Sequence, residues 1–123
     1  MRNLSELKAV ELDKCICEMA YPAERLFRDA AVGKALDDMK KAIGATATIE
    51  MAMSCYMTIL HPVLCGEAHR GDTYAILAAL DGVTAEEIAE RNGIEVMRDV
   101  FRTFVLGKDV PAIFRPRYEA RGE

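Results

Sequence analysis

Residues 61–69 contain the side chains best suited to covalent chemistry, namely the thiol of Cys65 and the imidazoles of His61 and His69. A cysteine nucleophile requires a histidine in contact with its sulfur and a third group that orients the imidazole. The sequence shows neither contact, because His61 lies within an apolar run and His69 lies among polar residues. The simpler interpretation is one core histidine and one solvated histidine, so a Cys–His enzyme is a minor alternative.

The four cysteines of the chain also have the chemistry of metal ligands. Cys15 and Cys17 would point about 200° apart on a helix, and the chain contains no CxxC pair. The motifs HExxH, GxSxG and GxGxxG and the Walker phosphate loop are absent as well. We therefore expect free thiols that pack as small apolar side chains, no bound metal or cofactor, and no enzymatic activity.

The net charge of −4 is unevenly distributed along the chain. Residues 67–99 carry eight acidic and three basic side chains, whereas residues 100–123 carry three acidic and five basic ones. Such an acidic body lacks the basic face with which proteins bind nucleic acid. The first residues turn polar without the apolar segment of a secretion signal, and no apolar run reaches the length of a membrane span. The sequence therefore predicts a cytosolic protein that binds neither nucleic acid nor membranes.

Helices must position these side chains, because apolar residues recur along most of the chain at the spacing of a helix face. The pattern predicts an all-α fold, a compact single-domain bundle of about five to six helices. The segment at about 45–64 is apolar on nearly all sides, which is typical of a central helix that the others surround. Residues 1–106 are predicted to form the helical domain, and residues 107–123 a C-terminal tail that contains prolines and arginines.

Local signals predict where the helices begin and end. The first helix is expected to run from Leu4 or Ser5 to Ala20, since Pro22 suits the first turn of a following helix. A change of apolar register between Asp29 and Gly33 indicates a kink or a helix boundary there. Further boundaries are predicted, in chain order, at Pro62, in a loop over residues 65–71, at the turn Asp81-Gly82, at a Thr84 cap and at Asn92-Gly93.

Residues 84–105 supply the alternative hypothesis, a helix-turn-helix regulator that binds DNA. Ala89 and Gly93 have the four-residue separation that is usual in this motif. In such a fold, however, Asp99 and Arg102 would occupy buried positions of the second helix, where unpaired charges are costly. The wide apolar stripe of this helix favours packing in a core instead.

Binding to another protein is the function that the remaining pattern favours. The chain contains seven methionines, and flexible methionine surfaces can adapt to different partners. Met53 and Met57 are expected in the core, whereas Met51 lies on another face of the helix. The tail either docks through its apolar residues or forms a mobile arm. The predicted partner contacts are Met51, Phe101, Phe104, Ile113 and Phe114.

The order of these elements resembles the small tail assembly chaperones of long-tailed bacteriophages and prophages, particularly those of Gram-positive hosts. The similarity covers roughly residues 1–106. Its features are the opening Met1–Leu4 before an amphipathic helix, the apolar third helix, the helix at Tyr74–Leu80, the segment Asp81–Ile88 and the phenylalanine-containing last helix.

The resemblance implies an all-helical, non-enzymatic protein in the host cytoplasm. It further implies binding to the tape measure protein, whose long helices would be kept soluble, and to tail tube subunits during tail assembly. It transfers no catalytic or ligand-binding residue to this chain, and it leaves self-association open.

Overall fold

The computed structural model describes residues 2, 4–45, 48–107 and 109–114, and within these ranges the chain is helical and contains no strand. The all-α prediction is confirmed. A short 3-10 turn at Leu4–Glu6 precedes the first helix, and a π-helical segment at Arg102–Leu106 continues the seventh. The α-helices are α1 (Ala9–Arg28), α2 (Ala30–Ala45), α3 (Ile49–Ile59), α4 (His61–Leu64), α5 (Arg70–Asp81), α6 (Ala85–Ala89), α7 (Gly93–Phe101) and α8 (Asp109–Phe114).

Helix α1 continues through Pro22, so the predicted end at Ala20 is wrong. A proline inside a helix removes one backbone hydrogen bond and crowds the preceding turn. Here, however, Pro22 is buried, and the helical spacing of the buried side chains is unbroken on either side of it. The buried residues of α1 are Cys15, Met19, Pro22, Ala23, Leu26 and Phe27.

Asp29 separates α1 from α2, within the range where the change of register is predicted. Its backbone is extended, with φ −74° and ψ 120°. Its carboxylate accepts a hydrogen bond from the backbone N–H of Ala31 at 2.9 Å, which satisfies a free donor at the start of α2. One residue therefore ends the first helix and caps the second.

The segment predicted as the central helix is divided and only partly covered. It forms α3 and α4, which meet at Leu60, and Pro62 lies in the first turn of α4 as its chemistry favours. Helix α3 buries one face, through Ala52 and Tyr56, and leaves its other side exposed. The most extensive helix pairing is instead between α1 and α5. The prediction that the other helices surround the 45–64 segment is therefore wrong. Helix α5 buries a larger share of its residues than α3 does.

Helix α5 begins at Arg70, inside the loop predicted at residues 65–71, whereas the predicted turn at Gly82 and the Thr84 cap are found in the structure. Gly82 ends α5 in a left-handed conformation, with φ 72°, which glycine adopts without strain. The hydroxyl of Thr84 accepts from the backbone N–H of Glu87 at 3.2 Å and begins α6. Helix α6 ends at Ala89, before the predicted stop at Asn92, and the side chain of Asn92 instead caps α7 by accepting from the N–H groups of Ile94 and Glu95.

The tail begins with an ordered helix that joins the same core. Val110 of α8 is buried, and α8 packs against α1 and against the π-helical segment. This agrees with the docked alternative over residues 109–114, and Pro116 and the arginines after residue 114 lie outside the described residues.

Candidate functional site

The Cys65 thiol and the His61 imidazole, singled out from the sequence, lie around a buried tyrosine. Tyr56 is fully buried, and its hydroxyl is hydrogen-bonded to Nδ1 of His61 at 2.8 Å. The two rings meet edge to face, with centroids 5.4 Å apart. Tyr56 also interacts with the thiol of Cys65. The second imidazole, His69, belongs to a different cluster.

These groups are held in their uncharged forms. Burial raises the pKa of Tyr56, and the nearby Cys65 adds to the effect. Burial lowers the pKa of His61, and the positive charge of Arg70 lowers it further. Burial also raises the pKa of Cys65, to about 11. A neutral thiol beside a neutral imidazole has little nucleophilic character, so this arrangement is suited to packing.

Cys65 is expected to react slowly with iodoacetamide at pH 7, because a pKa near 11 leaves about one thiol in ten thousand ionised. Cys17 is exposed and serves as the internal reference. Mass spectrometry of timed samples should show Cys17 labelled first and Cys65 labelled only after denaturation. If Cys65 were labelled as fast as Cys17 in the folded protein, the Cys–His nucleophile would regain support.

His69 binds the carboxylate that separates α1 from α2. Its Nε2 lies 2.7 Å from Oδ2 of Asp29, and its side chain is mostly buried. Because an ionised carboxylate only accepts, Nε2 donates the hydrogen. Nδ1 of His69 is buried and has no hydrogen-bond partner among the described residues. Arg25 and Asp72, 2.8 Å apart, make a second contact between the end of α1 and the start of α5. The His69–Asp29 hydrogen bond therefore holds the junction between α1 and α2 against the start of α5.

Replacing Asp29 by Asn is expected to lower the free energy of unfolding at neutral pH and to flatten its dependence on acid pH. The hydrogen bond from His69 lowers the pKa of Asp29 below its ordinary value of 3.8, and the bond from Ala31 adds to this. A carboxyl with a depressed folded pKa stabilises the fold above its unfolded pKa, and this contribution disappears as pH falls through the folded pKa. Urea unfolding between about pH 5 and pH 2 measures the difference.

Asp13→Asn is the matched control for this experiment, since Asp13 is an exposed carboxylate of α1 without an ion pair in the described structure. It should leave the acid dependence unchanged. Parallel pH curves for wild type and Asp29→Asn would contradict a stabilising role of the His69–Asp29 pair.

One of the two exposed predicted partner contacts, Met51, lies on α3. Ile49, Met51 and Met57 are 55%, 49% and 50% exposed. Helical spacing places Met51 and Met57 on the solvent side of α3, together with Glu50, Ser54 and Thr58, all exposed. We call these five residues the α3 outer face. It carries a single charge, that of Glu50, and its exposed methionine side chains are flexible.

The side-chain exposure along α3 changes the predictions for Met57 and Met53. Met57 was expected in the core, but it is half exposed because the buried face of α3 passes through Ala52, Tyr56 and Leu60. Met53 is half-buried and packs against the core from the edge of this face. Met51 is exposed, and its role as a partner contact stays a prediction.

Phe101 and Phe104 are core residues and are therefore removed from the set of surface contacts. Both are buried: the ring of Phe101 meets Tyr56 edge to face at 5.4 Å, and Phe104 packs beside Phe27 at 6.3 Å. Apolar spacing predicts the face that these residues share, but the bundle covers that face itself. In the tail, Ile113 is half exposed, whereas Phe114 is half-buried against the core.

The region of the helix-turn-helix alternative exposes charges of both signs. Glu95, Arg98 and Arg102 are exposed, and Asp99 is half-buried, where burial raises the pKa of its carboxyl. The acidic residues 86, 87 and 90 of α6 and its C-cap are exposed nearby. DNA binding depends on basic side chains that neutralise phosphates. This surface therefore offers little electrostatic support for DNA.

Comparisons with known proteins add no relative. No protein-family model, curated protein or solved structure matches the chain. Within the described ranges, no helix combines the length and apolar character needed to cross a bilayer. The same ranges contain no group of three or more His, Cys, Asp or Glu side chains arranged to hold a metal ion.

Proposed function

We propose that this protein is a non-enzymatic tail assembly chaperone that binds the tape measure protein and tail tube subunits in the cytoplasm of the infected host. The observation that carries the proposal is the α3 outer face, together with the exposed Ile49 at its N-terminal end. The order of helices supports the family assignment, and the acidic stretch at residues 67–99 is consistent with a basic client.

The α3 outer face suits an amphipathic helix better than an extended peptide. Helices dock in apolar grooves through side chains spaced three or four residues apart, and Met51 and Met57 offer flexible surfaces on either side of Ser54. Completing the burial of a half-exposed methionine or isoleucine would contribute about 1 kcal/mol per side chain. A long helical client with repeated apolar stripes can engage many copies of such a weak site.

Co-expression with the tape measure protein tests this proposal. The client to test would be the product of a long helical reading frame encoded next to this gene, and a tagged client should retain the wild-type protein. Met51→Glu combined with Met57→Glu should reduce retention at least tenfold, since each change buries a charge in the interface. Ile94→Glu is the control and should bind like wild type, since Ile94 is an exposed apolar residue of a different helix, α7.

Two results would count against the proposal. Failure of the wild-type protein to bind the client would contradict the chaperone function. Equal retention of the Met51→Glu/Met57→Glu variant and the Ile94→Glu control would show that the α3 outer face is not the binding site. A gel shift with duplex DNA at moderate salt tests the alternative. Binding that is lost in Arg98→Ala would support the helix-turn-helix hypothesis.

A further inference from the structure

The solvent side of α1 carries a second ordered surface. Its two most exposed apolar side chains, Val10 and Tyr21, are 82% and 72% exposed. They belong to a row of six residues spaced alternately by four and three positions, which we call the α1 seam. Its members are Val10, Lys14, Cys17, Tyr21, Glu24 and Arg28.

This spacing is the one that brings two helices together along a narrow contact. Positions that recur every 3.5 residues stay on one side of a helix and form the seam of a coiled coil. The row spans almost all of the 20 residues of α1, which is about 30 Å of helix. Pro22 does not interrupt it, because this proline lies on the opposite, buried face.

The charges of the α1 seam select one orientation for a second copy of the same helix. In an antiparallel pair centred on Met19, Lys14 lies opposite Glu24 of the second copy, and Glu24 lies opposite its Lys14. Cys17 then meets Tyr21 of the other helix, and Val10 meets the aliphatic stem of Arg28. Each pair of facing residues forms one layer of this arrangement, and the two residues of every layer are complementary in charge or in apolar character.

We propose that the protein forms a homodimer through antiparallel pairing of two α1 seams. In the single chain, Lys14 is 3.9 Å from Glu18, and Glu24 is 2.6 Å from Arg28. These exposed pairs contribute little to stability, so exchanging them for contacts across the dimer has a small cost. The apolar contacts, Cys17 with Tyr21 and Val10 with the stem of Arg28, are small, and the expected dimer is weak and reversible.

Sedimentation equilibrium at concentrations up to about 1 mM tests the dimer. The wild-type protein should approach twice the monomer mass of 13.6 kDa as its concentration rises. Lys14→Glu and Glu24→Lys should each raise the dissociation constant about tenfold or more, because each places like charges in two layers. An equimolar mixture of the two variants should restore dimerisation, since every layer between the two chains is then complementary again.

A short bismaleimide provides an independent readout, because Cys17 lies close to the centre of the pair. Cross-linked dimers should form in wild type, disappear in Cys17→Ser and decrease in Tyr21→Glu. Far-UV circular dichroism checks that each variant keeps its helical content. A wild-type protein that stays monomeric at every concentration would overturn the proposal, and so would a mixture of the charge variants that fails to recover.

Discussion

Phe101→Ala is expected to lower the free energy of unfolding by about 3–5 kcal/mol. The ring of Phe101 is buried and meets the ring of Tyr56 edge to face at 5.4 Å. Alanine would remove this contact and leave a cavity among packed helices, which the surroundings close only in part. Because Tyr56 also holds His61, the same change should loosen the junction between α3 and α4.

Urea unfolding followed by circular dichroism measures this loss, and Ile94→Ala is the control. Ile94 lies on the same helix but is 58% exposed, so its truncation should cost about 0.5 kcal/mol or less. A loss below about 1 kcal/mol for Phe101→Ala would show that the ring is not part of the core. In that case Phe101 would again be a candidate for partner binding.

Gly66→Ala is expected to lower the free energy of unfolding by about 3 kcal/mol, at the upper end for an added methyl group. A Cβ at position 66 would lie 2.5 Å from the carbonyl oxygen of Pro62. The obstacle is backbone of the adjoining helix turn, so relief requires the chain itself to move. The carbonyl of Gly66 also accepts the N–H groups of His69 and Arg70. A shift at Gly66 would therefore disturb the start of α5 and the His69–Asp29 bond.

Gly71→Ala is the matched control for this change. Gly71 lies in the first turn of α5, five residues after Gly66, and a Cβ there would meet nothing within 4 Å. Alanine should be neutral or should stabilise the protein by about 0.5–1 kcal/mol, because it favours the helix and restricts the unfolded chain. Thermal unfolding midpoints that shift equally for both variants would contradict the steric argument.

Helix ends encoded by neighbouring residues could be predicted from the sequence. The Thr84 and Asn92 caps, the Gly82 turn and the change of register at Asp29 depend on hydrogen bonds or backbone conformations within a few positions. Pro22 shows the limit of such reasoning. Its local chemistry favours a helix boundary, but burial of the continuous apolar side of α1 keeps the helix intact.

The candidate site was less predictable, because periodicity reveals a face and not what covers it. The sequence of α3 is apolar on nearly all sides, so it could not show that Met57 would face solvent while Tyr56 would be fully buried. The last helix shows the opposite case: Phe101 and Phe104 lie on a strongly apolar face, and the bundle buries both side chains. Which faces pair is decided by long-range packing, for which single-chain spacing carries little information.

The π-helical segment accommodates one extra residue between α7 and α8. The N–H of Gly107 reaches back five residues to the carbonyl of Arg102, at 2.6 Å, so each turn here holds more residues than an α-turn. Thr103, Phe104 and Val105 are consecutive and all buried, so this segment packs against the core on more than one side. Deleting one residue would let this segment rewind to α-helical pitch, and because four α-helical residues sweep about the same angle as five π-helical ones, the following chain would keep its orientation. Val110 would then keep its buried position, so the π-helical segment holds one residue more than the attachment of α8 requires.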